Sequence, residues 1–274
     1  MKEKFENIKM IMCDLDGTLL TDEGKVLSGT VEAIKKVREE GILFGLCTGR
    51  DLLGVKNSLD KWGIEGLVDA IVGTGGSEIC DFTKDFEEGV FPLEGELIKE
   101  IMNHFEDMDL NFVVPHKGIL YSPKDDRHIR LLAELDGVPY EVTDFEEFLS
   151  EPKQKVMLMT DSENMDNVIE RAGTFKNDKY KSASLKTASV LYEYMDPRIS
   201  KTYGLMQILE LHGLTMDNLC TFGDADNDYD MTKNAGIGVV MENGSEKTKS
   251  VADFITTDNN SDGIAEFIQK YILV

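Results

Sequence analysis

The sequence predicts an α/β protein: a Rossmann-like, doubly wound parallel sheet with a smaller α+β domain inserted into it. Two observations predict this fold. Short apolar runs alternate with helical segments at both ends of the chain, and this alternation stops between about residues 82 and 197. A chain of 274 residues is also long enough for two domains. We therefore expect a discontinuous core at residues 1–81 and 198–274 and an inserted domain at residues 82–197.

The elements of the predicted core follow one another in a regular order. Apolar runs typical of strands buried on both faces lie at 8–15, 42–47, 67–72, 219–222 and 237–241. One helical segment begins at the N-cap Ser28 and ends near Gly41, a second ends near Gly63, a third begins at Lys201 and the last ends near Tyr271. In the insertion, strands are predicted at 112–114, 119–121, 155–159 and 190–195, and helices at 94–106, 127–135 and 164–174.

The charge and hydropathy of the chain argue against several classes of protein. The 29 basic and 52 acidic side chains give a net charge of −23, which disfavours binding to nucleic acid or to an anionic membrane. No stretch approaches the roughly 18 apolar residues of a membrane span, and the polar N-terminus lacks the apolar core of a signal peptide. We therefore expect a soluble, cytoplasmic protein, whose oligomeric state the sequence leaves open.

The cysteine and histidine residues show no metal-binding pattern. Cys13, Cys47, Cys80 and Cys220 form no C-x-x-C pair, so we expect buried, reduced thiols and no zinc site. His212 lies near a predicted helix end, where we expect a structural role. Basic clusters at 116–117 and 127–130 either meet an anionic substrate or form a solvated face.

Two carboxylates close the first predicted strand, in the run Asp14-Leu15-Asp16-Gly17-Thr18. Because residues i and i+2 of a strand point the same way, we expect Asp14 and Asp16 together at the carboxyl edge of the sheet, where open α/β folds bind ligands. One carboxylate can attack phosphorus, and the other can exchange a proton with the leaving oxygen and with water. Taken alone, the run fits an ordinary turn equally well, because Asp-Gly pairs are common in turns.

Two further groups could bind a phosphate at the same edge. Thr48-Gly49-Arg50 follows the second strand, and a hydroxyl and a backbone N–H there would bind phosphate oxygens, although a plain N-cap also explains these residues. Lys201 begins the helix after the insertion. It is either a solvated lysine or a fixed cation that lowers the repulsion between clustered carboxylates and a phosphate.

The run Gly223-Asp224-Ala225-Asp226-Asn227-Asp228 follows another apolar strand. Together with Asp14 it supplies hard oxygen ligands suited to Mg²⁺, and such an ion lets a carboxylate approach a phosphate anion. A calcium EF-hand does not fit, because Tyr229 and Ala235 would stand at its sixth and twelfth positions. Residues 73–78 lack the third glycine of a dinucleotide-binding loop, and the sequence contains no Walker A pattern.

Taken in order, these motifs resemble those of the haloacid dehalogenase (HAD) superfamily. The run 14–18 is similar to the first motif, 48–50 to the second, Lys201 to the third and 223–228 to the fourth. The insertion between the second and third motifs resembles the C2 cap of the Cof-type subfamily, and the resemblance spans essentially the whole chain. It implies a Mg²⁺-dependent phosphatase that hydrolyses small phosphate monoesters through an aspartyl-phosphate, most often sugar phosphates.

The resemblance also implies a role for each matching residue. Asp14 would be the nucleophile and Asp16 the general acid/base. Mg²⁺ would be held by Asp14, the backbone carbonyl of Asp16 and Asp224, with Asp228 close by or bound through water. The phosphoryl group would be held by Thr48, Gly49, Lys201 and Asn227. An aspartate at position 16 favours a phosphatase over a dehalogenase or an ATP-driven pump.

Three departures from the family pattern bear on substrate choice. Gly75-Gly76-Ser77 stands where many relatives have Asn-Gly-Ala, and Arg198 and Thr202 stand where glycine is common. Two other functions also fit the motifs. A phosphomutase would use the same nucleophile but return the phosphoryl group to a sugar, and a non-catalytic module would only bind Mg²⁺ or accept a phosphoryl group.

Overall fold

The computed structural model describes residues 2–273, and over these residues the chain forms two compact units. The core unit runs up to Leu52 and includes Lys56–Glu88 and the chain from Ser200 onwards. The inserted unit contains Leu53–Val55 and Gly89–Ile199. The main junctions therefore lie at 88/89 and 199/200, whereas the sequence pattern placed them at 81/82 and 197/198.

A mostly parallel sheet forms the centre of the core unit. Numbered along the whole chain, its strands are β1 (Met10–Cys13), β2 (Leu43–Cys47), β3 (Ala70–Gly73), β4 (Glu78–Asp81), β5 (Phe86–Gly89), β12 (Leu219–Gly223), β13 (Ile237–Met241) and β14 (Phe254–Thr256). Among the described residues their order is β14-β13-β12-β1-β2-β3-β4-β5. The strands from β14 to β3 are parallel, and β4 is antiparallel to β3. The predicted parallel α/β fold is confirmed.

Helices accompany this sheet along the chain. They are α1 (Lys2–Glu6), α2 (Ser28–Glu39), α3 (Leu52–Ser58), α8 (Lys201–Leu211), α9 (Tyr229–Asn234), α10 (Glu246–Lys249) and α11 (Gly263–Phe267), which continues into a π-helical turn at Ile268–Ile272. The prediction that the second helix continues to near Gly63 was wrong, since α3 ends at Ser58 and turns follow. Gly54, Asn57 and Ser58 are weak helix formers, which explains the early end.

The inserted unit has its own sheet, which is mostly antiparallel. Its strands are β6 (Asn111–His116), β7 (Ile119–Ser122), β8 (Tyr140–Val142), β9 (Lys155–Met159), β10 (Ala183–Ala188) and β11 (Leu191–Met195). Within the described chain they lie in the order β10-β11-β9-β6-β7-β8. The helices are α4 (Gly95–His104), α5 (Arg127–Asp136), α6 (Phe145–Phe148) and α7 (Met165–Ala172).

Both faces of this second sheet pack against apolar clusters. Successive side chains of a strand point to opposite faces, so one strand can contribute to both clusters. Val156 and Leu158 of β9 belong to a cluster that includes residues of α4 and α7. Met157 and Met159 of the same strand belong to a second cluster that includes Ile129 of α5. The strand β9 is therefore buried along its whole length, and this explains why its apolar run was predicted correctly from the sequence.

The cysteines, His212 and the arginines of the 127–130 cluster occupy defined places in the fold. The four cysteines are buried and free of disulfides within residues 2–273. His212 follows α8, and its Nε2 lies 2.6 Å from Oδ2 of Asp81 at the end of β4. In the inserted unit, Arg127 pairs with Asp161, and Arg130 pairs with Asp125. These arginines of the 127–130 cluster are therefore already neutralised by neighbouring carboxylates.

None of the helices in residues 2–273 has both the length and the apolar character needed to span a bilayer.

Candidate active site

Three adjacent strands of the core sheet end at one edge and bring the predicted motifs together. In the register of the sheet, Cys13 of β1 lies beside Phe222 of β12 and Leu46 of β2, so the three strands end level with one another. Asp14 follows β1 directly, and its backbone N–H donates to the carbonyl of Phe222 at 2.9 Å. Because the strands are parallel, the loops that follow them emerge at the same edge.

A cluster of three carboxylates lies at this edge. Asp14, Asp224 and Asp228 each place an oxygen within 4.8 Å of the others. Asp228 is fully buried, and Asp14 is 6% exposed. Gly17 has a φ of +77°, and a Cβ on it would lie 2.6 Å from Oδ2 of Asp224, so a side chain at this turn would collide with the cluster. Thr18 donates a hydrogen bond of 2.7 Å to Oδ1 of Asp224 and holds that carboxylate in place.

Lys201 is the cation of this cluster. Ser200 caps the helix α8 by accepting a hydrogen bond from the backbone N–H of Tyr203, and Lys201 is the first residue of the helix. The Lys201 Nζ lies 2.6 Å from Oδ1 of Asp14 and 2.5 Å from Oδ1 of Asp228. The side chain is 3% exposed. Of the two interpretations of this lysine, the structure therefore supports the fixed cation and not the solvated side chain.

The ionisation of the cluster reflects burial and crowding. Burial raises the pKa of Asp14 well above its usual value, the Lys201 ammonium opposes this rise, and Asp228 and Asp224 add to it. The pKa of Asp224 rises to about 6, again mainly through burial, against the hydrogen bond from Thr18. Burial alone would lower the pKa of Lys201, but Asp14 and Asp228 outweigh it and raise the pKa.

This donor set fits a divalent cation. With all three carboxylates ionised, the single ammonium would leave an excess of negative charge in a buried site, and this repulsion raises the pKa values unless a further cation is added. Carboxylate oxygens are the ligands that Mg²⁺ prefers. Asp14 and Asp224 are suitable ligands, and Asp228 is constrained further, because its Oδ2 accepts the backbone N–H groups of Asp224 and Ala225 at 2.9 and 3.0 Å. Asp228 therefore also shapes the loop that carries Asp224.

Asp16 lies apart from the three clustered carboxylates. Its side chain is 58% exposed and forms a two-pronged ion pair with Arg50. Arg50 Nε lies 2.9 Å from Oδ2 of Asp16, and Nη2 lies 2.6 Å from Oδ1. The sequence analysis assigned no role to Arg50, although the residue stands inside the second motif. Its position directly after Thr48-Gly49 was the signal that could have identified it.

The remaining predicted phosphate-binding residues lie in the loops that follow β2 and β12. Thr48 is buried, and its Oγ1 accepts the backbone N–H of Arg50 at 3.1 Å. A Cβ on Gly49 would meet no atom within 4 Å, so the space beside this residue is open. Asn227 lies in the turn Asp226–Asp228, and its buried Oδ1 has no hydrogen-bond partner among the described residues.

The loop after β3 contacts both Thr48, which follows β2, and Ser200, which precedes α8. The backbone N–H of Gly75 donates to the carbonyl of Thr48 at 2.9 Å. Gly75 has a φ of 69°, in the left-handed region that glycine and asparagine tolerate best, so either residue satisfies this backbone. A Cβ on Gly76 would lie 2.0 Å from the carbonyl oxygen of Ser200, so the loop touches the start of the helix that carries Lys201.

Comparisons with known proteins agree with this geometry. Residues 11–268 match the family model of haloacid dehalogenase-like hydrolases. A 5-amino-6-(5-phospho-D-ribitylamino)uracil phosphatase of Bacillus subtilis, YwtE, is 28% identical over 97% of this chain and 98% of its own. A haloacid dehalogenase-like hydrolase from Bacteroides thetaiotaomicron has a TM-score of 0.86 at 25% identity, covering 96% of this chain and 99% of that one.

A third likeness concerns the fold alone. The HAD subclass IIB sugar phosphatase BT4131 has a TM-score of 0.82 at 20% identity, and the match covers 97% of this chain and 100% of that one. The match to the family model spans nearly all of the sequence and includes the motif positions described above. The expectation of a hydrolytic enzyme with HAD-type motifs is thus confirmed, and the chain belongs to the haloacid dehalogenase-like hydrolase family.

Proposed function

We propose that this protein is a Mg²⁺-dependent phosphatase that hydrolyses small phosphate monoesters through an aspartyl-phosphate on Asp14. The observation that carries the proposal is the buried cluster in which Lys201 bridges Asp14 and Asp228 while Asp224 lies beside them. An isolated buried carboxylate would take up a proton, whereas Lys201 on one side and a divalent cation on the other would keep Asp14 ionised and nucleophilic.

The residues of this chain divide the reaction between them. Asp14 attacks phosphorus with a carboxylate oxygen, and the bond to the leaving oxygen breaks while Asp16 gives that oxygen a proton. Asp16 then takes a proton from the water that attacks the aspartyl-phosphate, which releases phosphate and restores Asp14. Thr48, Gly49, Lys201 and Asn227 hold the phosphoryl oxygens.

Mg²⁺, when bound by Asp14, Asp224, the carbonyl of Asp16 and, directly or through water, Asp228, supplies charge neutralisation between the carboxylate and the phosphate. The arrangement of the chain supports this assignment, because these residues converge at one sheet edge with an excess of negative charge. We expect Mg²⁺ to raise the melting temperature of the wild-type protein, since a ligand that binds only the folded state stabilises it.

The named relatives narrow the class of substrate. YwtE is named for a phosphorylated ribityl compound, and BT4131 is named as a sugar phosphatase. We propose that the substrate is a phosphate monoester of a sugar or polyol. The assigned site residues all lie in the core unit, so we assign catalysis to that unit and the role of a specificity-determining cap to the inserted unit.

The replacement Asp14→Asn tests the nucleophile. We expect it to lower the turnover of phosphate esters by roughly a thousandfold or more, because an amide does not attack phosphorus, while the fold is retained. Asp226→Asn is a matched control, since Asp226 is exposed and its Oδ1 accepts a hydrogen bond from Ser245 instead of joining the carboxylate cluster. The measurement is phosphate release with and without Mg²⁺, together with circular dichroism. Near-normal turnover by Asp14→Asn would refute the mechanism.

Labelled water separates hydrolysis from transfer. A phosphatase places solvent oxygen in the released phosphate, so turnover in ¹⁸O-water should give labelled phosphate. Unlabelled phosphoryl groups transferred to a sugar would instead identify a phosphomutase. A protein that binds Mg²⁺ but turns over none of a panel of phosphorylated sugars, polyols and nucleotides would be a non-catalytic module.

A further inference from the structure

Asp16 is held by a residue from another strand end. It lies two residues beyond Asp14, yet its carboxylate is well exposed and would rotate freely without a partner. Arg50, which follows β2, contacts both of its oxygens with two different nitrogens, at 2.9 and 2.6 Å. Such fork-to-fork pairing fixes the plane of a carboxylate as well as its position, which a lysine ammonium cannot do.

Arg50 is itself held firmly. Its side chain is only 14% exposed, in contrast to that of its partner. Its backbone N–H donates to Oγ1 of Thr48 at 3.1 Å, and its carbonyl accepts the N–H of Thr74 at 2.7 Å. The guanidinium therefore extends from a loop that is bonded both to its own strand end and to the loop after β3. Arg50 is therefore the more constrained residue of the pair, and Asp16 is the more exposed one.

We propose that Arg50 is a positioning residue that orients Asp16 for proton transfer to the leaving group. The inference rests on the proposed function and extends it to a residue outside the roles assigned above. As Asp16 gives its proton to the departing oxygen, it becomes a carboxylate, and the guanidinium already faces the two oxygens on which this charge develops. A preorganised cation at that place stabilises the transition state in proportion to how far the proton has moved.

This role has a distinct kinetic consequence. An ester with a poor leaving group needs the proton early, whereas an ester whose leaving group is a stable anion needs it little. Loss of Arg50 should therefore lower kcat/KM strongly for esters with poor leaving groups and much less for esters with good ones. A residue that binds the transferred phosphoryl group would instead affect both kinds of ester equally, because that group is common to both.

Phenyl phosphate and para-nitrophenyl phosphate provide the comparison, because they differ in leaving-group stability far more than in shape. The measurement is kcat/KM for both esters, which reports the steps up to the first irreversible one, with saturating Mg²⁺. For Arg50→Gln we expect a loss of about a hundredfold on phenyl phosphate and little change on para-nitrophenyl phosphate. Arg50→Lys, which keeps the charge but not the fork, should recover part of the loss on phenyl phosphate.

Arg38→Gln is the matched control. Arg38 makes the same kind of two-pronged pair, with Asp69, through Nε at 3.1 Å and Nη2 at 2.8 Å, but Asp69 immediately precedes β3 and so lies at the opposite edge of the sheet. We expect this variant to lose stability while the ratio of kcat/KM between the two esters stays at the wild-type value. Circular dichroism melting curves show which variants are folded at the assay temperature.

The remaining outcomes would overturn the inference. Equal losses of kcat/KM on both esters would make Arg50 a phosphoryl-binding residue. Equal gains would show that the ion pair slows the reaction by restraining Asp16. An unchanged ratio of kcat/KM between the two esters in a folded Arg50→Gln variant would remove any link to proton transfer. If the wild-type protein turns over neither ester nor any other phosphate monoester, the proposed function fails and the inference fails with it.

Discussion

Single residues without side chains determine how closely the loops of the site approach one another. Gly17 leaves room for the carboxylate of Asp224, and Gly76 leaves room for the carbonyl of Ser200. Both have positive φ angles, +77° and +118°, so a larger residue would be strained as well as crowded. The spacing of Asp14, Asp224 and Lys201 thus depends on two glycines that have no reactive group of their own.

Gly76→Ala should misplace Lys201. The new Cβ would lie 2.0 Å from the Ser200 carbonyl oxygen, so the start of α8 must move. We expect kcat/KM for a phosphate ester to fall by roughly a hundredfold, the cost of a displacement of about 1 Å in an active site. The measurement is steady-state kinetics at a temperature where the variant is folded.

Gly41→Ala is the control for backbone strain. Gly41 has a φ of +79°, but a Cβ there would meet nothing within 4 Å, and the residue lies just before β2, at the opposite edge of the sheet. It should lose about 1 kcal/mol of stability while keeping its kinetics. Similar kinetic losses in both variants would show that strain, and not the displacement of Lys201, explains the effect.

Elements of the core are joined by buried polar contacts as well as by apolar packing. Asp81, the last residue of β4, is fully buried. Its Oδ1 accepts hydrogen bonds from the backbone N–H and the hydroxyl of Thr83 and from the N–H of Lys84, and its Oδ2 contacts His212 beyond the end of α8. One carboxylate thus connects the antiparallel strand, the turn after it and the helix whose first residue is Lys201.

Asp81→Ala should destabilise the protein in a pH-dependent way. Burial alone would raise the pKa of Asp81, but hydrogen bonds from Thr83 and then His212 outweigh it, and the pKa is lowered. A carboxyl with a lowered pKa contributes stability above its unfolded pKa of about 4 and loses that contribution as the pH falls through its folded pKa.

Urea unfolding measures this effect. At pH 7 the variant should be less stable than the wild type by about 2–4 kcal/mol, because it removes the buried carboxylate that accepts hydrogen bonds from Thr83 and Lys84 and contacts His212. As the pH falls below about 4 the difference should shrink, since the unfolded wild-type carboxyl takes up a proton before the folded one does. Asp60→Ala, at an exposed position, should change stability little at either pH. A difference that stays constant with pH would contradict the assigned role of the Asp81 charge.

At the scale of the whole molecule, the net charge of −23 opposes the approach of an anionic ester. Lys201 and Arg50 act against this field only at the site, where each is already paired with a carboxylate. The Debye length, over which salt screens the interaction of exposed charges, is about 30 Å at an ionic strength of about 0.01 M and about 8 Å at about 0.15 M. Added salt should therefore weaken the global repulsion more than it weakens these short-range ion pairs.

We expect kcat/KM for a phosphate ester to rise as NaCl increases from low to physiological concentration. The measurement is initial rates at constant free Mg²⁺, with viscosity matched across the series. Repeating it with potassium acetate separates screening from specific binding of chloride at the site. A fall in kcat/KM with salt would mean that the local positive groups, and not the net charge, govern the approach of the substrate.

Predictions from the sequence were best for buried strands and weakest at sheet edges. β1, β2, β9, β12 and β13 are buried along all or nearly all of their length, so a continuous apolar run identifies them. The strands β5, β8, β10 and β14 lie at sheet edges and are exposed along part of their length, and no prediction covered them. Their strand conformation comes from pairing with a neighbour, which is a tertiary contact.

The sequence by itself determined the parallel core, and it predicted an insertion and the carboxylates of the candidate site, because apolar periodicity and motif spacing are local properties of the chain. Only the tertiary structure decided that Lys201, far along the chain, bridges Asp14 and Asp228, and that Asp16 pairs with Arg50. The length and direction of an ion pair depend on how separate strand ends and a helix start pack together. The glycines at 17 and 76 take their importance from the same packing, since their neighbours in space are distant in sequence.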